Sequence, residues 1–164
     1  MKPLRIKMTD TLIREYDLLS KMEQIGIDQE YIQNVDLSNF HSDDYVDCLR
    51  NITVEHKDMY ADQMRAYSFT DCDCPMFDYM YEYCQRYTAG TLLAGAKLAQ
   101  NESDIAINWA GGLHHAKKYE ASGFCYVNDC VLGILELLKT YQRVLYIDID
   151  CHHGDGVEEA FLTT

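Results

Sequence analysis

Two short apolar segments, with an amphipathic helix between them, constrain the fold more than any other feature of the sequence. The segments cover residues 105–107 and 144–147, and the helical pattern covers residues 131–141. Short apolar segments of this kind are typical of buried strands, and their order predicts a parallel βαβ unit. Two parallel strands do not make an independent α/β domain, because such a sheet needs several strands and two covered faces. We therefore expect the sheet to be incomplete in this chain.

The composition describes a folded and strongly acidic protein. Its 164 residues are 48% hydrophobic, which excludes collagen-like and disordered classes. The 14 Lys and Arg against 27 Asp and Glu give a net charge of −13, so we expect a surface that repels nucleic acid and attracts basic peptides and metal ions. The seven cysteines form no CxxC pair, and neither a signal peptide nor a membrane span is recognisable. These features predict an intracellular protein with reduced thiols and no membrane partner.

Helical patterns dominate the first hundred residues. Thr9 or Asp10 is predicted to cap a helix that ends before Gly26. Ser42, followed by two acidic residues, is predicted to cap a second helix. A third helical run extends from about 77 to 98, and no linker or repeat divides the chain.

Acidic residues and a histidine follow the second apolar segment. On an extended backbone, Asp148, Asp150 and His152 lie on one face, while Cys151 points to the other. Carboxylates on a buried strand need a cation or hydrogen-bond donors to compensate them. Asp and neutral His are zinc ligands, and a catalytic zinc has three protein ligands and an open position. The pattern favours a metal site with two visible ligands; the alternative is salt bridges or a helix cap.

A second histidine pair follows the first apolar segment. The turn formed by Gly111 and its glycine neighbour places His114 and His115 on a loop at the same edge of the predicted sheet. Neutral imidazoles near a metal can accept a proton from water, and a carboxylate bonded to each ring would fix its tautomer. Asp148 and Asp155 are available for this purpose. The alternative is a solvated or structurally satisfied histidine pair.

The two motifs NWAGGLHHAKKYEASGFCYVND and RVLYIDIDCHHGDGVEEAF resemble the catalytic core of class I histone deacetylases. The segments MKPLRIKM, HSDDYVDCLR and DCPMFDYMYEYC resemble the N-terminal segments of this family and occur in the same order. The resemblance implies an α/β fold, specifically the three-layer αβα arginase-like fold with a mainly parallel sheet. It implies that residues 1–164 form part of a histone deacetylase catalytic domain.

The resemblance also implies a role for individual residues. It implies zinc ligands at Asp150 and His152, and a general base and an electrostatic or acid catalyst at His114 and His115, with Asp148 and Asp155 as their carboxylate partners. A potassium ion is implied near Asp148, Asp150 and His152, largely through backbone oxygens. The remaining implied sites are a substrate-tunnel wall (Gly123, Phe124), a rim carboxylate for the substrate backbone (Asp73), an internal-channel arginine (Arg5) and an inositol-phosphate contact (Lys2).

Three positions depart from the family pattern. Leu4 stands where a His is usual, Tyr119 where a small residue is usual, and Cys151 where an apolar residue is usual. Leu4 weakens the inositol-phosphate inference. Compared with the family, the chain is expected to begin past the first strand and to stop before the second aspartate ligand, the transition-state tyrosine and the glycine-rich loop. The fragment alone is therefore expected to be inactive.

The function that these observations favour is zinc-dependent hydrolysis of acetyl-lysine amides on histone tails. A nuclear location, with the cytoplasm as a second location, follows from the resemblance, as do transcriptional repression and corepressor subunits as partners. Two alternatives remain. One is a related amidohydrolase that acts on acetylpolyamines, and the other is a truncated, non-catalytic module that binds a histone tail or a corepressor.

Overall fold

The computed structural model describes residues 4–69 and 72–163, and these residues are predominantly helical. The α-helices are α1 (Leu4–Glu15), α2 (Gln29–Gln33), α3 (Asp43–Asn51), α4 (Ala61–Ala66), α5 (Met80–Ala99), α6 (Asp129–Leu138) and α7 (Asp155–Phe161). Short 3₁₀ turns lie at Leu19–Lys21, Leu37–Asn39 and Lys57–Tyr60. No described helix combines the length and the apolar character that crossing a membrane requires.

The predicted helices are present, but the first one is displaced. Ser42 caps α3 by accepting a hydrogen bond from the N–H of Tyr45 at 3.4 Å, which confirms that prediction. Both ends of the first helix were predicted wrongly, because α1 begins at Leu4, encloses both residues that were expected to cap it, and ends at Glu15 instead of just before Gly26. The Thr9 hydroxyl donates to the Arg5 carbonyl one turn earlier instead of capping a terminus. The helical run after residue 77 is the single helix α5.

The two predicted strands have no regular secondary structure and do not form a sheet. Among the described residues, strand-type pairing is confined to one bridge between Ser122 and Cys125. Side chains that were expected to be buried are exposed instead, 77% for Ile105 and 83% for Leu145. The expected parallel sheet is therefore not seen here. A ladder exists only where a neighbouring strand supplies N–H and C=O partners, and these two segments do not supply them to each other.

The core forms around α3 and α5 and consists largely of aromatic side chains. Tyr45 on α3 and Tyr87 on α5 are fully buried, and Phe69 stacks between the rings of Tyr45 and Tyr126. The buried hydroxyls reach backbone atoms, because Tyr45 donates to the Tyr126 carbonyl at 2.7 Å and Tyr87 to the Val127 carbonyl at 2.8 Å. These bonds fix the segment that leads into α6.

Helices α5 and α6 pack closely, and this contact positions the start of α6. Gly133 on α6 lies so near Thr91 on α5 that a Cβ atom there would come within 2.7 Å of the threonine methyl group. Asn128 caps α6 by accepting a hydrogen bond from the N–H of Val131 at 3.0 Å. The N-terminus of α6 thus lies against the loop that carries the tandem histidines. Helix α7 also contacts α6.

Candidate active site

Two histidine–aspartate pairs lie side by side. His114 Nδ1 is 2.6 Å from Asp148 Oδ2, and His115 Nδ1 is 2.7 Å from Asp155 Oδ1. The centroids of the two imidazole rings are 4.1 Å apart. An ionised carboxylate only accepts hydrogen bonds, so each Nδ1 carries a proton, and Nε2 of each ring is left for another partner. The structure thus brings together the four side chains that the sequence singled out.

The Asp148 carboxylate is held by three donors. Besides His114, the Tyr146 hydroxyl donates to Oδ2 at 2.6 Å and the N–H of Asp150 donates to Oδ1 at 3.0 Å. Burial alone would raise the pKa of Asp148, but these hydrogen bonds outweigh it and lower the pKa to about 2. Gly154 leaves the space that this arrangement needs, because a Cβ atom there would lie 2.5 Å from Asp148 Oδ2.

The Asp155 carboxylate is held by a lysine as well as by its histidine. Lys117 Nζ lies 2.6 Å from Asp155 Oδ2 and also 3.2 Å from Glu159 Oε2. The N–H of Gly156 donates to Asp155 Oδ1 at 3.0 Å. Burial would raise the pKa of Asp155, but Lys117 and His115 outweigh it and bring the pKa to about 2. Both carboxylates are therefore ionised near neutral pH.

Asp150 and His152 lie together next to the second pair. Asp150 Oδ1 is 3.1 Å from His152 Nδ1, and it accepts the His152 N–H at 2.8 Å. The hydrogen bonds from His152 lower the pKa of Asp150. Two ligand atoms on a tetrahedral zinc, each about 2 Å from the ion, are about 3.3 Å apart. The separation of these two atoms fits a shared zinc ion.

Cys151 does not turn away from these two residues, as an extended strand had predicted. The ligand atoms of Asp150, Cys151 and His152 all lie within 4.8 Å of one another, and Cys151 Sγ is 3.4 Å from His152 Nδ1. The prediction was wrong because the backbone bends at residues 151–152, so that side chains no longer alternate between two faces. All three residues are exposed.

The residues expected to contact substrate lie next to His115. Gly123 has φ +50°, and a Cβ atom on it would lie 2.5 Å from His115 Cδ2, so this position requires glycine. Its N–H donates to Asp73 Oδ2 at 3.1 Å. Phe124, at φ +66°, exposes 53% of its surface beside them. The structure therefore connects Asp73 to the His115 ring through Gly123.

Of the residues expected at more distant sites, the structure describes Arg5, which lies outside this cluster. Arg5 is exposed in the first turn of α1, where an internal channel would require it to be enclosed. Lys2 lies outside the described residues. Leu4 is exposed at the start of α1, and Tyr119 is exposed beside the ammonium group of Lys118.

Sequence reasoning missed four residues that hold the site. Tyr146 precedes Asp148 by two positions, and alternation along an extended segment would have placed both side chains on one face. Lys117 follows the histidine pair closely, without a signal of its own. Asn128 and Asp129 carry the signal of a helix start, but nothing in the sequence indicates that their side chains reach the histidine loop.

The family profile described as "Histone deacetylase domain" matches residues 1–164. The chain belongs to the histone deacetylase family. Membership implies the arginase-like α/β fold that the resemblance also implied, although the residues that the structure describes are mostly helical and form no sheet.

Individual histone deacetylases match over the whole chain. Histone deacetylase 1 of Homo sapiens is 55% identical over 165 residues, which cover 100% of this chain and 33% of that protein. Histone deacetylase HDAC1 of Drosophila melanogaster is 56% identical over 165 residues and covered to 31% of its length. Histone deacetylase 9 of Arabidopsis thaliana is 54% identical over 164 residues and covered to 38%. The chain spans about a third of the length of these relatives.

Proposed function

We propose that the protein hydrolyses acetyl-lysine amides on histone tails with a water molecule activated by zinc. The observation that carries this proposal is the position of the two histidine–aspartate pairs beside a fitting pair of zinc ligands. The ring of His115 lies 6.1 Å, centroid to centroid, from the ring of His152, which is paired with Asp150. The residues that we assign to proton transfer and to metal binding thus lie in one small region, as metal-assisted hydrolysis requires.

Asp150 and His152 would hold the zinc ion. When bound, zinc polarises the acetyl carbonyl and lowers the pKa of water. We assign proton transfer to His115, because its ring lies against that of His152. The hydrogen bond to Asp155 leaves His115 Nε2 free to take a proton from water and to return it to the departing lysine amine.

His114 acts mainly through charge and orientation. His114 is 6% exposed, and its ring lies against the His115 ring, with Asp148 fixing its Nδ1 proton. Once its Nε2 has taken up a proton, the ring can stabilise the negative charge that develops on the carbonyl oxygen. We also propose a potassium ion near Asp148, held largely by backbone oxygens of Asp150 and His152, that would balance the local negative charge.

The substrate would approach past Gly123, Phe124 and Asp73. The lack of a side chain on Gly123 makes room for the His115 ring, and the exposed Phe124 ring next to it would offer an apolar wall to the acyl-lysine stem. Asp73 would accept hydrogen bonds from the peptide backbone. A net charge of −13 favours basic tails. Histone tails, corepressor subunits and a nuclear location are part of this proposal.

The test uses the protein in its full native length. We expect turnover of an acetyl-lysine histone peptide and little turnover of an acetylpolyamine. His115→Ala and Asp150→Ala should each reduce turnover by about 10²-fold or more. Zinc analysis separates their roles, because His115→Ala should retain zinc and Asp150→Ala should lose it.

Three results would contradict this proposal. A preference for the acetylpolyamine would favour the related amidohydrolase. Peptide binding without turnover would favour a non-catalytic module. Equal zinc content in the two variants would contradict the division between proton transfer and metal binding.

A further inference from the structure

The loop that carries His114 and His115 is held on its C-terminal side by the side chain of Asn128. Asn128 Nδ2 donates to the His114 carbonyl at 3.1 Å and to the Ala116 carbonyl at 3.0 Å. Asn128 and Ala116 are fully buried and His114 is 6% exposed, so water is a poor substitute partner for these two carbonyl oxygens. The backbone on both sides of His115 is thereby tied to one amide group.

The loop is held on its N-terminal side by the next residue, Asp129. Asp129 Oδ1 accepts the N–H of Leu113 at 2.8 Å, and the N–H of Gly112 lies 3.0 Å from both carboxylate oxygens. The Thr91 hydroxyl of α5 donates to Asp129 Oδ2 at 2.5 Å. Asp129 is 1% exposed, and this burial raises its pKa even though the bonds from Thr91, Leu113 and Gly112 oppose the shift.

The start of α7 packs against the same contact between Asn128 and the histidine loop. A Cβ atom on Gly156 would lie 2.5 Å from the His114 carbonyl oxygen and 2.8 Å from Asn128 Nδ2, so α7 packs directly on this contact. Gly156 follows Asp155, the partner of His115. The histidine loop and the start of α7 both contact the Asn128 amide, and the distance between His115 and Asp155 therefore depends on this amide.

We propose that Asn128 and Asp129 are positioning residues that set the geometry of the two histidine–aspartate pairs. Asn128 holds the carbonyl groups of His114 and Ala116. Asp129 holds the N–H groups of Gly112 and Leu113, which precede the two histidines. Asn128 caps α6, Asp129 is its first residue, and α6 packs on α5. The histidines are therefore positioned relative to the helical core. The effect on turnover rests on the function proposed above, whereas the effect on the histidine hydrogen bonds does not.

The decisive variant is Asn128→Asp. It keeps the size of the side chain, the backbone N–H and an oxygen that caps α6 by accepting from Val131. It replaces only the side-chain NH₂ group that donates to the two carbonyl oxygens. We expect kcat to fall by about 10- to 100-fold, with KM changed less than about twofold and zinc content unchanged, because a misplacement near 1 Å has costs of this size.

The matched control is Asp28→Ala, which removes the cap of α2 and its 2.6 Å bond to the N–H of Tyr31. This variant should lower the melting temperature and leave kcat unchanged. Should Asn128→Asp not fold, Asn128→Ser keeps a cap oxygen without placing negative charge against the carbonyls. Asp129→Asn tests the other side of the loop and should lower kcat in the same way.

A second readout does not require activity. Proton NMR of the wild-type protein should show strongly downfield Nδ1–H resonances from His114 and His115, as expected for donors to carboxylates at 2.6 and 2.7 Å. These resonances should weaken or shift upfield in Asn128→Asp and persist in Asp28→Ala. Unchanged resonances in a folded Asn128→Asp protein, or an equal loss of kcat in Asp28→Ala, would overturn the proposal. Absence of deacetylase activity in the wild type would refute the proposed function alone, since the resonances would still report on positioning.

Discussion

Replacement of Gly123 by alanine tests the geometry of the site in one step. The new Cβ atom would lie 2.5 Å from His115 Cδ2, whereas nonbonded carbons in contact are about 3.5 Å apart. The ring must therefore move by about 1 Å, which disturbs its 2.7 Å contact with the Asp155 carboxylate. A displacement of this size costs about 10²-fold in rate, which corresponds to about 2.7 kcal/mol of activation free energy. The backbone at φ +50° adds about 1 kcal/mol of folding cost for alanine.

The assay compares Gly123→Ala with a control of similar stability. Ile52→Val removes one methyl group from a core residue that is 7% exposed and costs about 0.5–1.5 kcal/mol of folding free energy. Both variants should show a similar decrease in melting temperature and full zinc content. Only Gly123→Ala should lose kcat on an acetyl-lysine peptide. Wild-type kcat in Gly123→Ala would refute the reasoning, because His115 would then not depend on the space that Gly123 leaves.

Three further predictions concern other parts of the molecule. Burial lowers the pKa of His41 to about 4 in the folded state, below its ordinary 6.5, so the unfolded state binds the extra proton first as pH falls. Urea titrations should show the free energy of unfolding decreasing by about 3 kcal/mol between pH 6.5 and pH 4, and His41→Gln should remove most of that slope. Asp73→Ala should raise KM for a histone peptide while zinc content and melting temperature stay the same; an equally large stability loss would indicate a turn residue instead. Tyr87→Phe should lower the free energy of unfolding by about 1–3 kcal/mol, because it leaves the buried N–H and C=O of Val127 without their partner; no change by chemical denaturation would contradict this.

Local patterns in the sequence predict the elements whose cause is local. The cap at Ser42 and the long helix α5 follow from side chains within one or two turns, and the structure contains both. The start of α1 was missed, because the residues before Thr9 are also compatible with a helix and Asp10 pairs with Arg14 inside it. A signal at a single residue therefore predicts that a helix is present more reliably than it predicts where that helix begins.

Patterns that depend on distant partners are predicted less well. The apolar segments at 105–107 and 144–147 read as strands, but a strand is defined by its neighbours, which these segments do not provide for each other. The metal and histidine motifs were visible because residue type alone indicates their chemistry. The supporting contacts of Asn128 were not visible in the sequence, because they join the start of a helix to carbonyl oxygens 12 and 14 positions earlier.

The two histidine–aspartate pairs also act as long-range crosslinks of the polypeptide. They join positions that are 34 and 40 residues apart, and the start of α7 contributes both Asp155 and Gly156, which packs on the His114 carbonyl. Detachment of α7 would therefore break the His115 contact in the same event. Hydrogen exchange at the amides of α7 should follow the opening of the histidine loop, so that local unfolding and loss of the proton-transfer geometry are one cooperative transition.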